Sequence, residues 1–189
     1  MKYKGRIAVK LSKAITGITQ IALAVLFLTI APMMADDAMA ENEALRFPDI
    51  TGEMVNGKKV SMPDAFHGKP MVVIMLFDRD QQDVFDSWSK AHRELPKNIG
   101  LMEVALIGKV GGIARFFIKG GMRDMTKDNK ARQARMMPFF GDADAVKSAL
   151  KITDSSAVMA FLVNADGQVV WQDKGAYQGQ FKTLPQEAL

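Results

Sequence analysis

Apolar and polar positions alternate between two regimes that predict strands and helices in turn. Residues 71–77 read MVVIMLF with no polar interruption, the signature of a strand buried on both faces. The chain then turns polar. Val84, Phe85, Trp88, Ala91, His92 and Leu95 recur at helical spacing, which predicts a helix from 81 to about 95. Asp80 is placed to cap it, and Asp83 suits the positive end of its dipole. Residues 101–107 form a second buried strand. Gly111 and Gly112 open a helical segment through Phe116 and Phe117, which Gly120 and Gly121 should end. Residues 124–135 are polar and partly helical, 136–140 form a short strand, and 143–150 form a helix capped by Asp142. Residues 158–163 and 168–171, joined through Ala165-Asp166-Gly167, read as a hairpin. Upstream, a short extended segment at Ile50 pairs with 60–62 across the Asn56-Gly57 turn. A short tail from Tyr177 carries a last helical turn from Pro185. This order predicts a layered α/β domain with a mixed sheet.

The first 40 residues follow a different rule. Lys2, Lys4, Arg6, Lys10 and Lys13 precede an apolar stretch that is densest from 21 to 30. Pro32 interrupts it, and Ala38-Met39-Ala40 supplies small residues where a signal peptidase needs them. Residues 1–40 therefore read as a secretory signal, with 41–189 as the mature domain. The rival reading is an uncleaved anchor tethering the domain to the inner membrane, since about 20 apolar residues can span a bilayer. Both readings predict an exported, periplasmic domain, because the basic flank stays inside.

Charge sharpens this division. The 189-residue chain has 25 Lys+Arg against 21 Asp+Glu, but the leader holds five of the former and two of the latter. The mature part is close to neutral, so whole-chain basicity is no argument for nucleic acid. Its positive charge is concentrated in Lys109, Arg115, Lys119, Arg123, Lys127, Lys130, Arg132 and Arg135, against Asp124 and Asp128 only. The flanking stretches are both net acidic. With Phe116, this segment is a candidate interaction surface for a protein partner or an anionic membrane surface. The plainer reading is a solvated helix face with Phe116 or Phe117 in the core. Met122, Met125, Met136 and Met137 bracket the segment and could add a soft apolar contact, or simply pack the core.

Composition excludes whole classes of chemistry. There is no cysteine, hence no disulfide, thiol nucleophile or thiolate ligand. His67 and His92 are the only histidines, and neither has a partner at a spacing that suggests a general base. The segment Gly108-Lys109-Val110-Gly111-Gly112 lacks the ending and spacing of a phosphate-binding loop. No residue set predicts a catalytic centre, a metal site or a cofactor.

The motifs Phe47-Pro48-Asp49, Gly68-Lys69-Pro70, MVVIMLF and FLVNADGQVVW, in this order, resemble the thioredoxin-like superfamily. The resemblance implies a three-layer α/β/α domain whose mixed central sheet ends in a β-hairpin. Redox members carry a Cys-x-x-Cys pair just after the first central strand and a cis-proline before the hairpin. Here Asp78, Arg79, Asp80, Gln81 and Asp83 occupy the first position and Val158 the second. A thiol-disulfide oxidoreductase or a cysteine peroxidase is thereby excluded. More narrowly, residues 47–76, with MRDM, ARQAR and the hairpin, are similar to the assembly-factor family of the mitochondrial F-type ATP synthase and its bacterial relatives. That implies a non-catalytic chaperone binding a subunit of a membrane complex. The alternative is an enzyme, or a small-molecule or cation-binding protein, using the edge from Asp78 through Asp83 to Asp86. That spacing does not follow a calcium loop, and capping explains two of its acids.

Overall fold

The structure, a computed structural model, describes residues 44–185. The expected leader, its cleavage point and the helical turn expected from Pro185 lie outside the described residues. Among the described residues, no helix is long and apolar enough to cross a membrane.

The domain is built on a five-stranded sheet in the order β5-β4-β3-β6-β7. Its strands are β3 (Met71–Leu76), β4 (Gly100–Leu106), β5 (Met136–Phe139), β6 (Met159–Val163) and β7 (Val169–Lys174). β3, β4 and β5 run parallel, while β6 and β7 are antiparallel, so the sheet is mixed as expected. The continuous apolar runs of β3 and β4 follow from their central places, which are covered on both faces.

One face packs against α1 (Gln82–Lys90) and α2 (Gly112–Met125), burying Ile74, Phe85, Trp88, Leu101, Met122 and Leu162. The other packs against α4 (Ala143–Ala149) and a separate hairpin, β1 (Ile50–Glu53) and β2 (Lys59–Met62), burying Ile50, Met62, Val73, Val104, Val146 and Phe161. Backbone bonds from Val55 N to Met136 O (2.9 Å) and Asn56 N to Gln133 O (3.2 Å) fasten the β1–β2 turn beside β5. Gly52 passes so close to Met137 that any Cβ there would overlap its sulfur.

Several local expectations need correction. The helix after β3 stops at Lys90 and tightens into a 3-10 turn at Ala91–Glu94. Its cap is not Asp80. A 3-10 turn at Arg79–Gln81 precedes α1, and Asp78 caps that turn by accepting the Asp80 N–H at 2.9 Å. Gly120 and Gly121 do not end α2, which continues to Met125. Each glycine costs about 1 kcal/mol relative to alanine. Beyond them, however, Met122 is buried in the core and Thr126 Oγ1 donates to Met122 O at 2.7 Å. Packing of Ile118 and Met122 on the core, one on each side of the glycines, overrides the local preference. Asp142 caps α4 as expected, accepting from Ala145 N at 3.0 Å.

Candidate functional site

The corner between β3 and α1 is built by short-range hydrogen bonds. The Gln81 side chain is buried, and its Oε1 accepts from Phe77 N (2.8 Å) and Asp78 N (3.4 Å). Its Nε2 donates to Ser155 O at 2.8 Å, which ties this corner to the loop leading into β6. Val158 ends that loop, fully buried, with its carbonyl accepting from Gly175 N. Asp78, Arg79, Asp80 and Asp83 are exposed around the corner. Asp86 accepts from Gln82 and pairs with Arg132. Among the described residues, no group of three or more acids or histidines is arranged to hold a metal ion. Replacing Gln81 by alanine should lower stability by about 1–3 kcal/mol, because two part-buried amides and a carbonyl lose their partner. Amide exchange at 77 and 78 would then accelerate ahead of the rest of the sheet. Unchanged exchange there would show that the side chain does not hold the two loops together.

The basic segment divides into two sets. Arg132 and Arg135 point inward. Arg132 Nε lies 2.8 Å from Glu103 Oε2, and Arg135 Nε lies 2.7 Å from Glu103 Oε1. Ser89 Oγ donates to the same Oε1 at 3.0 Å. Glu103 stands on β4 with no exposed surface, on the face shared with α1 and α2. Burial works against the Arg132 charge, but the carboxylates of Glu103 and Asp86 more than restore it, so its guanidinium titrates above its ordinary value. These two arginines are therefore corrected from surface contacts to an internal clamp. The clamp fixes α3 (Lys130–Gln133), itself capped by Asn129, against the sheet.

The other cations face solvent. Arg115 lies with its guanidinium carbon 5.4 Å from the centroid of the Phe140 ring, and its Nε donates to Val110 O at 2.9 Å. Lys119 pairs with Glu53, and this hydrogen bond holds the Glu53 carboxyl below its ordinary range. Lys109 pairs with Asp142. Arg123, Lys127 and Lys130 are exposed, and among the described residues they form no ion pair. Between α2 and the β1–β5 edge runs a groove of about 750 Å³. Arg115, Phe116, Lys119 and Arg123 line it from α2, together with Thr51–Glu53, Pro138 and Phe140.

The aromatic residues of α2 correct the expectation that one of them packs the core. Phe116 is 74% and Phe117 70% exposed, and Ile113 before them is 79% exposed. Met122, Met136 and Met137 pack the core, whereas Met125 is exposed. His67 sits in an exposed turn at φ 53°, and His92 lies in the 3-10 turn after α1. Partial burial, then the nearby Arg135 charge, lowers the pKa of His92.

No family model matches the chain, and no curated protein sequence does. Solved structures do match. A peroxiredoxin-like protein from Aquifex aeolicus aligns with a TM-score of 0.54 and 10% identity over 77% of this chain and 86% of that one. A thiol-disulfide oxidoreductase from Bacteroides fragilis gives 0.51 and 14% over 73% and 94%. A member of the Sco family of cytochrome c oxidase assembly proteins gives 0.50 and 11% over 77% and 92%. The chain thus has the thioredoxin-like α/β fold, with no cysteine anywhere in it.

Proposed function

We propose that this is an exported, non-catalytic thioredoxin-like protein that binds a protein partner during assembly of a membrane complex. One contrast carries the reading. The corner where redox proteins of this fold keep their thiols is closed by Gln81, while the groove beside α2 is open and lined by three cations. Glu53 already neutralises Lys119, so Arg115 and Arg123 hold the charge that a partner would meet. That lining suits an acidic segment carrying one or two apolar side chains, which would pack on Phe140 and Pro138. Export rests on the basic and apolar order of residues 1–40. The sequence resemblance to ATP synthase assembly factors makes the synthase the first complex to examine. The Sco-family neighbour is compatible with such a task, since its family is named for assembly of a membrane oxidase.

Photo-crosslinking in cells tests the proposal, with a photoactivatable residue at Thr51 of the full chain. A discrete protein adduct is expected. Its yield should fall about tenfold in Arg115→Glu/Arg123→Glu, the effect of roughly 1.4 kcal/mol lost at a charged rim. An unchanged yield, or adducts formed from Asp80 but not from Thr51, would move the site away from the groove.

A further inference from the structure

We propose a second contact: the outward side of α2 rests on an anionic lipid bilayer. Phe116 and Phe117 lie three and four residues after Ile113, so all three fall in a strip on one side of the first two turns. All three are more than two-thirds exposed, and the two phenyl rings touch each other edge to face, 5.8 Å apart, rather than the domain. Gly120 continues the strip without a side chain. Toward the core the helix offers only buried Met122 and half-buried Ile118. The larger apolar side of α2 therefore faces water, the reverse of an ordinary surface helix.

Charge selects the occupant. Arg115, Lys119 and Arg123 recur every four residues along one flank of the strip, and Lys127 and Lys130 continue beyond the helix end; Lys119 is paired with Glu53, so the other four carry the attraction. This is the composition of a helix lying in a membrane interface, with aromatic and aliphatic side chains at the acyl boundary and cations reaching lipid phosphates. Each cation near an anionic leaflet adds to the attraction. A second copy of the chain is disfavoured, because two such helices would bring like charges together with only Asp124 on each to oppose them. The strip is also convex, and a bilayer conforms to a convex helix where a folded partner would need a matching cleft. Phe116 and Gly120 also line the groove, so the strip borders it directly, while Ile113 and Phe117 lie outside its lining.

The test places a tryptophan in the strip, as Phe117→Trp in the full chain, and measures quenching by lipids brominated near the headgroup end of the acyl chain. The parent chain, with Trp88 and Trp171, gives the background. With phosphatidylglycerol vesicles, quenching at least about twofold above background is expected. It should disappear in high salt, where the screening length shrinks from about 10 Å to about 3 Å. It should also disappear when Phe116→Ser and Arg123→Glu are added. Both sites are exposed, so circular dichroism should show an unchanged fold. No excess quenching with anionic vesicles would overturn the proposal. So would equal quenching with pure phosphatidylcholine, or a dimer in sedimentation equilibrium that Phe116→Ser abolishes. A protein adduct formed from position 113 without lipid contact would give the face to a protein and would also reject it.

Discussion

Glu103→Gln should lower the stability of the domain by about 3–5 kcal/mol, the range for breaking a buried ion pair from one side. The carboxylate has no exposed surface and accepts from Arg132, Arg135 and Ser89. Glutamine offers one acceptor oxygen and an amide that can only oppose a guanidinium. Arg132 would keep Asp86 as a partner, but Arg135 would be left with Ser89 Oγ at 3.3 Å. A domain of this size is stable by only about 5–15 kcal/mol in all, so the loss takes a large share. Urea unfolding would measure it, and a change below about 1 kcal/mol would show that solvent relieves the two cations. The triple substitution Glu103→Met/Arg132→Leu/Arg135→Leu is expected to recover most of the loss, since apolar replacement of a whole buried charge cluster is often neutral or better. Recovery would identify the cluster as a device that selects one position for α3. Failure to recover would mean that the aliphatic replacements cannot fill the same space.

Trp88→Ala should cost a similar amount, about 3–5 kcal/mol, for a different reason. The indole is fully buried on α1 and is surrounded edge-on by Trp171 (6.4 Å), Tyr177 (5.2 Å) and Phe181 (5.4 Å). Its Nε1 donates to Gly175 O at 2.7 Å. Removing it leaves a cavity and also releases a side chain that joins β7, the residues after it and α1 at one point. Burial, then the hydrogen bond to Glu94, pushes the Tyr177 phenol up to about 12, so it remains a donor at neutral pH but cannot hold the segment alone. The expected result is a melting temperature lower by about 10 °C or more, with rapid amide exchange at 175–184 before β3 and β4 open. Trp88→Phe keeps the stacking and loses the hydrogen bond, at about 1 kcal/mol. Cooperative loss of exchange protection across the whole sheet in Trp88→Ala would contradict a locally anchored C-terminal segment.

The sequence was most informative where a single local rule governs. The unbroken run of β3 could only be a strand covered twice, and the Asn164–Gly167 turn with flanking apolar residues could only close a hairpin. It misled where distant residues decide. Nothing near Gly120 tells that Met122 will be held in the core, so the helix seemed to end too early. The basic segment looked uniform because charge along a chain carries no direction, yet Arg132 and Arg135 turn inward while Arg123 and Lys127 turn out. A signal for this was present. Glu103 is a lone acid inside the apolar strand LMEVALI, and a buried carboxylate requires cationic partners. Segregated basic charge beside such a strand supplies them. Gln81 was legible only as a position in a resemblance. Its role as a bridge between 77–78 and 155 depends on a separation of 74 residues along the chain.

That bridge has a consequence for when and where the protein can mature. Asp78 and Gln81 are three apart, and their mutual capping bonds close the corner without any covalent step. Closure needs no electron acceptor, no oxidase and no isomerase. It proceeds equally in a reducing cytosol and in an oxidising compartment. If the chain is exported as proposed, no disulfide postpones its folding until arrival, and the rate of folding is set directly against the rate of transport.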